Sequence, residues 1–502
     1  MKNFKPGSRS ILIHTLGLFV FAIALAATPA ETQETLSLKD FLKEVTEKNT
    51  SVKSSNLSAQ ASDQRSVEGD LITAPALYVS AETKSDARIG PFSFLQFDRL
   101  VTNVVSVGVQ KNFNFGLQAK LHYDLLTVQY LNPQTSNALA GFASIFSNPY
   151  NLATPVLELS QSLWSNGFGR STRASKEAVD AQNLASKHLH QFEVQNSAIQ
   201  AELAYWRLAA ARQVIEVQNQ AIDRARKIYE WNKNRVNLHL GEEADELQAQ
   251  ALVESRGLDV LAAQNEERSA SRAFNSARNM DSDEVKESLN RLEPEDLNTI
   301  HAPKRTRLRE DVLAAQARLR ATEANTVLQT EKNRPNLELY GSLALNGQPL
   351  GYFADPYKGS ISLGDTLALS FAPNRPTYNI GVRFSVPLAF GAVSQTQESW
   401  VQENAAAQLK YERALFDQEQ AWKELVQRLS DFRQHLTLSQ TLEKTQKSKL
   451  EKEKERLSKG RSTTYQVLLF EQDYLFSQLG RIKDQIVLLD ILAQMKLFGE
   501  ST

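Results

Sequence analysis

"EKNRPNLELYG", Glu331–Gly341, changes rhythm at its proline. Before it, residues 306–333 are polar and alanine-rich and read as helix. After Pro335 the chain alternates, with Leu337 and Leu339 against Asn336, Glu338 and Tyr340. Proline has no N–H and cannot continue a helix. Alternation of period two is a strand with one apolar face. "DLITAPALYVSAE", Asp70–Glu82, makes the same switch at Pro75, with Leu77 and Val79 as its apolar row. A fold with two such junctions joins long helices to strands at two places, and the two prolines are expected at the same height along its long axis.

Proline placement outlines the rest. None occurs between Pro155 and Pro294, or after Pro387, and glycine is sparse there. Two long blocks without helix breakers read as long helices. Ala201, Leu208, Ile215, Ile222, Tyr229 and Val236 recur every seven residues, and Leu468, Leu475, Leu479, Ile482, Ile486, Leu489 and Ala493 follow three-four spacing. These are coiled-coil seams. Residues 170–240 as one helix would be roughly 100 Å long, too long for a compact domain. Strands are expected over about 76–87, 103–113, 117–131, 155–163, 336–346 and 377–388, each with one apolar row, such as Tyr378, Ile380, Val382, Phe384, Val386 and Leu388. Strands of about ten residues with one apolar face suit a membrane β-barrel. A soluble sandwich alternates equally well. The export signal and the rods favour the barrel.

The chain has 502 residues, a net charge of −1 and no cysteine. That balance gives no electrostatic footprint for nucleic acid, and disulfides are excluded. Lys2, Lys5 and Arg9 precede an apolar run from Ile11 to Ala27, so residues 1–30 read as a cleaved signal peptide. No other apolar run is long enough for a spanning helix, so a membrane-spanning portion would have to be a closed barrel.

The halves parallel one another. With Pro75 laid on Pro335, Val52 falls on Val312, Leu77 on Leu337 and Val79 on Leu339. "LELSQSLWSNGFGRS" parallels "VRFSVPLAFGAVSQ", and "LHLGEEADELQAQ" parallels "LSKGRSTTYQVLL", which lays Gly241 on Gly460. This reads as a tandem repeat. Residues 31–290 hold the first copy, with helices 37–72, 170–240 and 243–280. Residues 291–305 link it to the second, 306–502, with helices 306–333, 392–458 and 464–497. So few apolar strands per half cannot close a barrel alone, and single seams need partners, which points to a cyclic homo-oligomer.

This organisation resembles the TolC-like outer-membrane efflux proteins over essentially the whole mature chain. The residues that carry it are "LSLKDFLKEVTEKNTSVKSS", the paired prolines Pro75 and Pro335, "SVPLAFG" around the third junction proline, Pro387, and "GRSTTYQVL" at Gly460–Leu468. The resemblance implies a fold of mixed α and β: long antiparallel coiled-coil helices forming an α-barrel across the periplasm, joined to a transmembrane β-barrel shared between protomers. It implies a homotrimer in the outer membrane of a Gram-negative cell. A periplasmic adaptor and an inner-membrane pump of RND or ABC type would dock at its tip, for drug efflux or type I secretion. It implies adaptor contacts at the tip turns, Gly241 and Glu242 in one and Gly460, Arg461, Ser462 and Thr463 in the other. Its aperture positions fall at Asp245, Glu246, Leu457 and Gln466. Acids are absent at Gln466 and Leu469, and Leu457 stands where the family has a gate tyrosine, so a double acidic ring is not expected here. The family norm is two strands per half, whereas four are read in the first. Either the trimeric barrel has 18 strands rather than 12, or the extra hairpin lies in an extracellular loop. Apolar rows continuing through Leu125 favour the wider barrel. Residues 346–377 read as a loop at its mouth.

No catalytic constellation is legible. His188 and His190 are two apart on a helix and face different ways. No His-Glu-x-x-His or phosphate loop occurs, so no enzyme, metal or cofactor is expected. "KSKLEKEKERLSKGR" reads as a solvated helix face. The rival class is a periplasmic coiled-coil scaffold without a pore.

Overall fold

The computed structural model describes residues 35–88, 95–135, 149–291, 297, 303–347, 363–372 and 375–499. The expected signal peptide, most of the inter-repeat linker and residues 348–362 of the expected mouth loop lie outside the described residues.

Seven helices of the described chain form the rods. They are α1 (Leu38–Lys48), α2 (Thr50–Gln64), α3 (Arg170–Asn237), α4 (Glu243–Ala277), α5 (Glu310–Lys332), α6 (Phe390–Ser458) and α7 (Thr464–Met495). The 68 residues of α3 span roughly 100 Å at ~1.5 Å per residue. The first helix is read from the sequence as one rod over 37–72, but it breaks at Asn49. That side chain accepts from the backbone N–H groups of Ser51 and Val52 and so starts α2, the competition with helix that asparagine is known for. Residues Arg65–Thr73 then tighten to a 3₁₀ helix before Pro75.

Six strands make one antiparallel sheet: β1 (Ala76–Asp86), β2 (Arg99–Asn112), β3 (Leu117–Leu131), β4 (Tyr150–Ser162), β5 (Asn336–Leu345) and β6 (Pro376–Ser385). They follow each other across the sheet in chain order, so β1 and β6 are its free edges. The extra hairpin β2–β3 sits inside the sheet, not in a loop beyond it. Strands β2 and β4 begin four and five residues earlier than the sequence suggests. Pro155 concealed the start of β4; the β4–β5 pairing stops at Val156, one residue short of it, a place where a missing N–H is tolerated.

The register is staggered. Ala76, Gln110, Lys120, Glu158, Ser342 and Asn379 are paired in one row. Relative to that row, β1 begins on it, β2 ends two residues below, β3 begins three below, β4 ends four below, and β5 and β6 reach six below. The pairing also sorts the side chains. Leu77, Val107, Leu121, Leu157, Leu343 and Ile380 fall on one face, and Tyr78, Lys120, Glu158, Glu338 and Arg383 on the other.

The hydrophobic core lies among the helices. One cluster joins Ala210 and Val217 of α3, Leu429 and Leu436 of α6, and Ile482 and Leu488 of α7. Another joins Phe41, Val45 and Val52 to Tyr205, Leu208 and Phe274. At the far end of α3 the buried row is Val217, Ala221, Ala225 and Ile228, while Ile215, Ile222, Tyr229 and Val236 of the seven-residue row stay half-buried. The small alanines let neighbouring helices approach, which a reading that weights large side chains overlooks.

Beside the second cluster, buried Arg278 pairs with Glu287 at 2.8 Å and Glu44 at 3.3 Å. Burial pushes both carboxyls up, but hydrogen bonds and the charge of Arg278, with Lys48 at Glu44, bring both below the ordinary value. A folded-state pKa below the unfolded one gives stability that is present above about pH 4.3 and lost as pH falls through the folded values. Arg278→Met removes the buried cation and leaves two partly solvated carboxylates, so it should lower stability at pH 7 by about 1–2 kcal/mol. Thermal unfolding of both proteins from pH 7 to pH 3 should show the gap closing towards the acid end.

Candidate functional site: hairpin tips and apolar sheet face

The α3–α4 and α6–α7 turns are built alike. In the first, His239 N–H donates to Val236 O at 2.9 Å and Leu240 N–H to Arg235 O at 2.8 Å. In the second, Gly460 N–H donates to Leu457 O at 3.0 Å and Arg461 N–H to Arg456 O at 2.9 Å. Both are Schellman-type caps, with a left-handed residue closing the helix. That residue is Gly460 at φ 67 in one turn and His239 at φ 55 in the other. The arginine side chains repeat the match, Arg235 reaching Leu240 O at 2.7 Å and Arg456 reaching Arg461 O at 3.4 Å. The alignment of Gly241 on Gly460 is therefore two residues out. Gly460 corresponds to His239, Ser462 to Gly241, Thr463 to Glu242, Gln466 to Asp245 and Val467 to Glu246. Glycine drew the alignment, but histidine tolerates the left-handed region better than most side chains.

Each expected tip residue can now be placed. Glu242 is the N-cap of α4 and Thr463 that of α7, where its hydroxyl accepts from Gln466 N–H at 3.3 Å. Arg461 is exposed, and Ser462 donates to Glu453. Asp245, Glu246 and Gln466 are half-buried in first turns. Leu457 is 6 % exposed and packs with Ile228, Val467 and Leu468. It belongs to the core between the hairpins, so as an aperture residue it is corrected. Along the charge run Glu451, Lys452, Glu455 and Lys459 make the solvated face, and Leu450, Glu453 and Leu457 form the buried row opposite it.

Sequence reasoning missed the polar links between the hairpins. Glu471 of α7 is fully buried, takes Arg224 of α3 and lies 3.4 Å from Lys454 of α6. Arg224 also stands 5.1 Å over the Tyr474 ring, whose hydroxyl burial pushes up in pKa. Nearby, Thr464 donates to Asn232 at 2.8 Å, both buried. Glu471 lies eight residues past the turn inside an apolar seam, and a lone acid in such a row was the available signal.

At the other end the Pro335 and Pro387 junctions meet. Ser165 N–H donates to Pro335 O at 3.1 Å, and Ser165, Arg334, Asn336, Ser385 and Pro387 line one cleft. Buried Glu331 of α5 pairs there with Arg334 at 2.8 Å and Arg170 at 3.4 Å. Pro75 opens β1 directly after the 3₁₀ helix. The apolar sheet face above is bare, with Leu77, Tyr378 and Ile380 each more than 70 % exposed. The opposite face carries an ion pair, Arg383 with Glu338 at 3.2 Å, and a hydrogen bond between His122 Nδ1 and Asp124 at 2.8 Å. A sheet with a bare apolar face, a charged reverse face and a regular stagger is the form a barrel wall takes in lipid.

Solved structures carry the same architecture. The outer membrane protein VceC from Vibrio cholerae matches with a TM-score of 0.62 at 14% identity, over 93% of this chain and 97% of that one. The chain has the fold of outer-membrane channels. The outer-membrane channel OprN matches at 0.61 and 16% identity, over 92% of this chain and 90% of that one. The open state of the Neisseria gonorrhoeae MtrE outer membrane channel matches at 0.59 and 16% identity, over 92% and 89%. No protein-family profile and no curated protein sequence matches. The channel fold is thus held by patterning and packing, with little residue identity.

Within this channel fold His188 pairs with Glu310 at 2.7 Å and His190 with Glu193 at 3.0 Å, two separate partners. Among the described residues no group of histidines and acids is arranged to hold a metal. No helix among them is long and apolar enough to cross a membrane.

Proposed function

We propose that this chain is the outer-membrane channel of a tripartite efflux or type I secretion system, a TolC-like protein acting as a passive conduit. The observation that carries the reading is the apolar face of the staggered six-stranded sheet, bare over most of its extent. A monomeric soluble protein rarely exposes a patch of that extent, whereas lipid requires it. In this reading the chain is exported by a cleaved signal peptide, built by tandem duplication, and works with no chemistry of its own. The near-identical tip turns support the duplication.

The two free edges, β1 and β6, support a barrel shared between copies. Edges left open in lipid are not viable, because every backbone group must be paired. In a homotrimer, the state the resemblance implies, six strands from each of three copies make eighteen. Level junctions at Pro75 and Pro335 need a tilted sheet. The six-residue offset between β1 and β5 is about 20 Å along the strands and crosses four steps, about 19 Å. The tilt is then about 45°, the upper end of the barrel range. At that tilt a ten-residue strand rises ~23 Å, close to the apolar band of about 25 Å. Half-buried Ile222 and Tyr229 and exposed Phe416 and Leu438 are the helix surfaces that neighbouring copies would cover.

Continuing the stagger, with like faces kept together, places Arg383 of one copy opposite Tyr78 or Ser80 of the next. Arg383→Cys combined with Tyr78→Cys or with Ser80→Cys should cross-link copies into trimers in one of the two combinations, read on denaturing gels. The natural chain has no cysteine to interfere. Failure of both pairs to cross-link would sink the shared barrel. At the tip, an adaptor of the periplasm and an inner-membrane pump are the proposed partners. Arg461, Glu242 and Thr463 are the contacts, and Asp245, Glu246 and Gln466 the residues near the aperture.

A further inference from the structure

Residues 363–372, within the expected mouth loop, lie back against the sheet. A seven-residue helix, Leu363–Leu369, lies against the apolar face of the sheet. Phe371, just after it, stacks on Tyr123 of β3, with centroids 6.0 Å apart and rings 27° from parallel. Ala153 of β4, on the same face as Tyr123, is completely covered. Gly347 N–H donates to Ala153 O at 3.2 Å. A Cβ on Gly347 would stand 2.6 Å from Ser370 Cα and 2.7 Å from Thr366 O, so the glycine lets this helix press down on the strand end.

The covering helix is itself uncovered. Leu363, Leu367 and Leu369 are exposed, and Phe371 is 69 % exposed. Thr366 and Ser370 are fully buried, and the Ser370 hydroxyl donates to Leu367 O at 2.8 Å. Ser370 and Ala372 N–H groups donate to Leu367 and Leu369 carbonyls at 3.3 and 3.0 Å. A water-facing loop has the reverse arrangement, polar groups out and leucines in. Backbone paired within the segment and leucines outward are what hydrocarbon demands. Tyr123 and Ala153 lie three and five residues above the Ala76 row, on the side of the sheet away from the helices.

Resting on the reading that the bare sheet face meets lipid, we propose that Leu363–Phe371 is an outer-leaflet anchor whose exposed leucines and phenylalanine contact lipid acyl chains. Its exposed leucines and phenylalanine are continuous with the apolar rows of β3 and β4.

The test uses a nitroxide on single cysteines in the otherwise cysteine-free full chain. The protein is reconstituted in phosphatidylethanolamine–phosphatidylglycerol vesicles, and accessibility to oxygen and to a water-soluble nickel chelate is compared. Leu367→Cys reports the helix, Leu121→Cys the apolar sheet face and Ser106→Cys the charged face. The expected oxygen-to-nickel ratio at Leu367 and Leu121 is several-fold above that at Ser106. A lipid value at Leu121 with an aqueous value at Leu367 overturns the anchor and leaves the barrel reading standing. Aqueous values at both overturn the two together. If Leu367→Cys does not fold, Phe371→Cys reads the same surface.

Discussion

Glu471→Ala should loosen the tip more than any other single change there, lowering stability by about 3–5 kcal/mol. The carboxylate is fully buried and is shared by Arg224 and Lys454 from two other helices. Removing it leaves two cations facing each other beside Tyr474 with no anion between them. Burying unpaired charge costs far more than losing a neutral hydrogen bond. Thr464→Val, which removes the Asn232 bond, should accordingly cost only about 1–2 kcal/mol. Calorimetry of both variants measures the contrast, and limited proteolysis at residues 238–242 and 459–463 locates it. Equal losses would mean that the charged link does not dominate the contact between hairpins.

The second large effect is expected one residue at a time in β2. Val107→Lys places an ammonium on the apolar face, and Ser106→Lys places it on the charged face. A lysine near the bilayer midplane costs about 2–4 kcal/mol, and on the lumen side little. The expected result is strong loss of Val107→Lys protein from outer-membrane fractions, with Ser106→Lys present at natural levels. In a soluble sandwich the bare face would meet water or a partner, and the two substitutions would not differ in this way.

Much of this architecture is legible in the sequence because it rests on periodicity and on punctuation. Pro75 and Pro335 mark helix-to-strand junctions whatever surrounds them, and rows such as Tyr378 to Phe384 alternate strictly because one face of the sheet is apolar and the other polar. The long helices follow from the absence of proline. What escaped the reading depends on three-dimensional context. Asn49 breaks a helix through its own side chain, which composition does not signal. His239 takes the left-handed position that glycine would announce, so the first tip turn is displaced by two residues from the alignment. Ala221 and Ala225 are buried where Ile222 is only half so, because close helix approach selects small side chains. Leu457 has the sequence position of an aperture residue but is drawn into the core by Ile228 and Val467. Glu471 is an acid in an apolar seam whose cations come from helices 17 and 247 residues away in the chain.

Single-channel recording in planar lipid bilayers tests most directly whether the protein forms a water-filled conduit through the outer membrane. Purified full-length protein should insert and give discrete conductance steps, and Glu471→Ala should raise the step size or the open time by loosening the tip. Insertion without current, or no insertion at all, for both the natural chain and Glu471→Ala would contradict the channel and favour a scaffold without a pore.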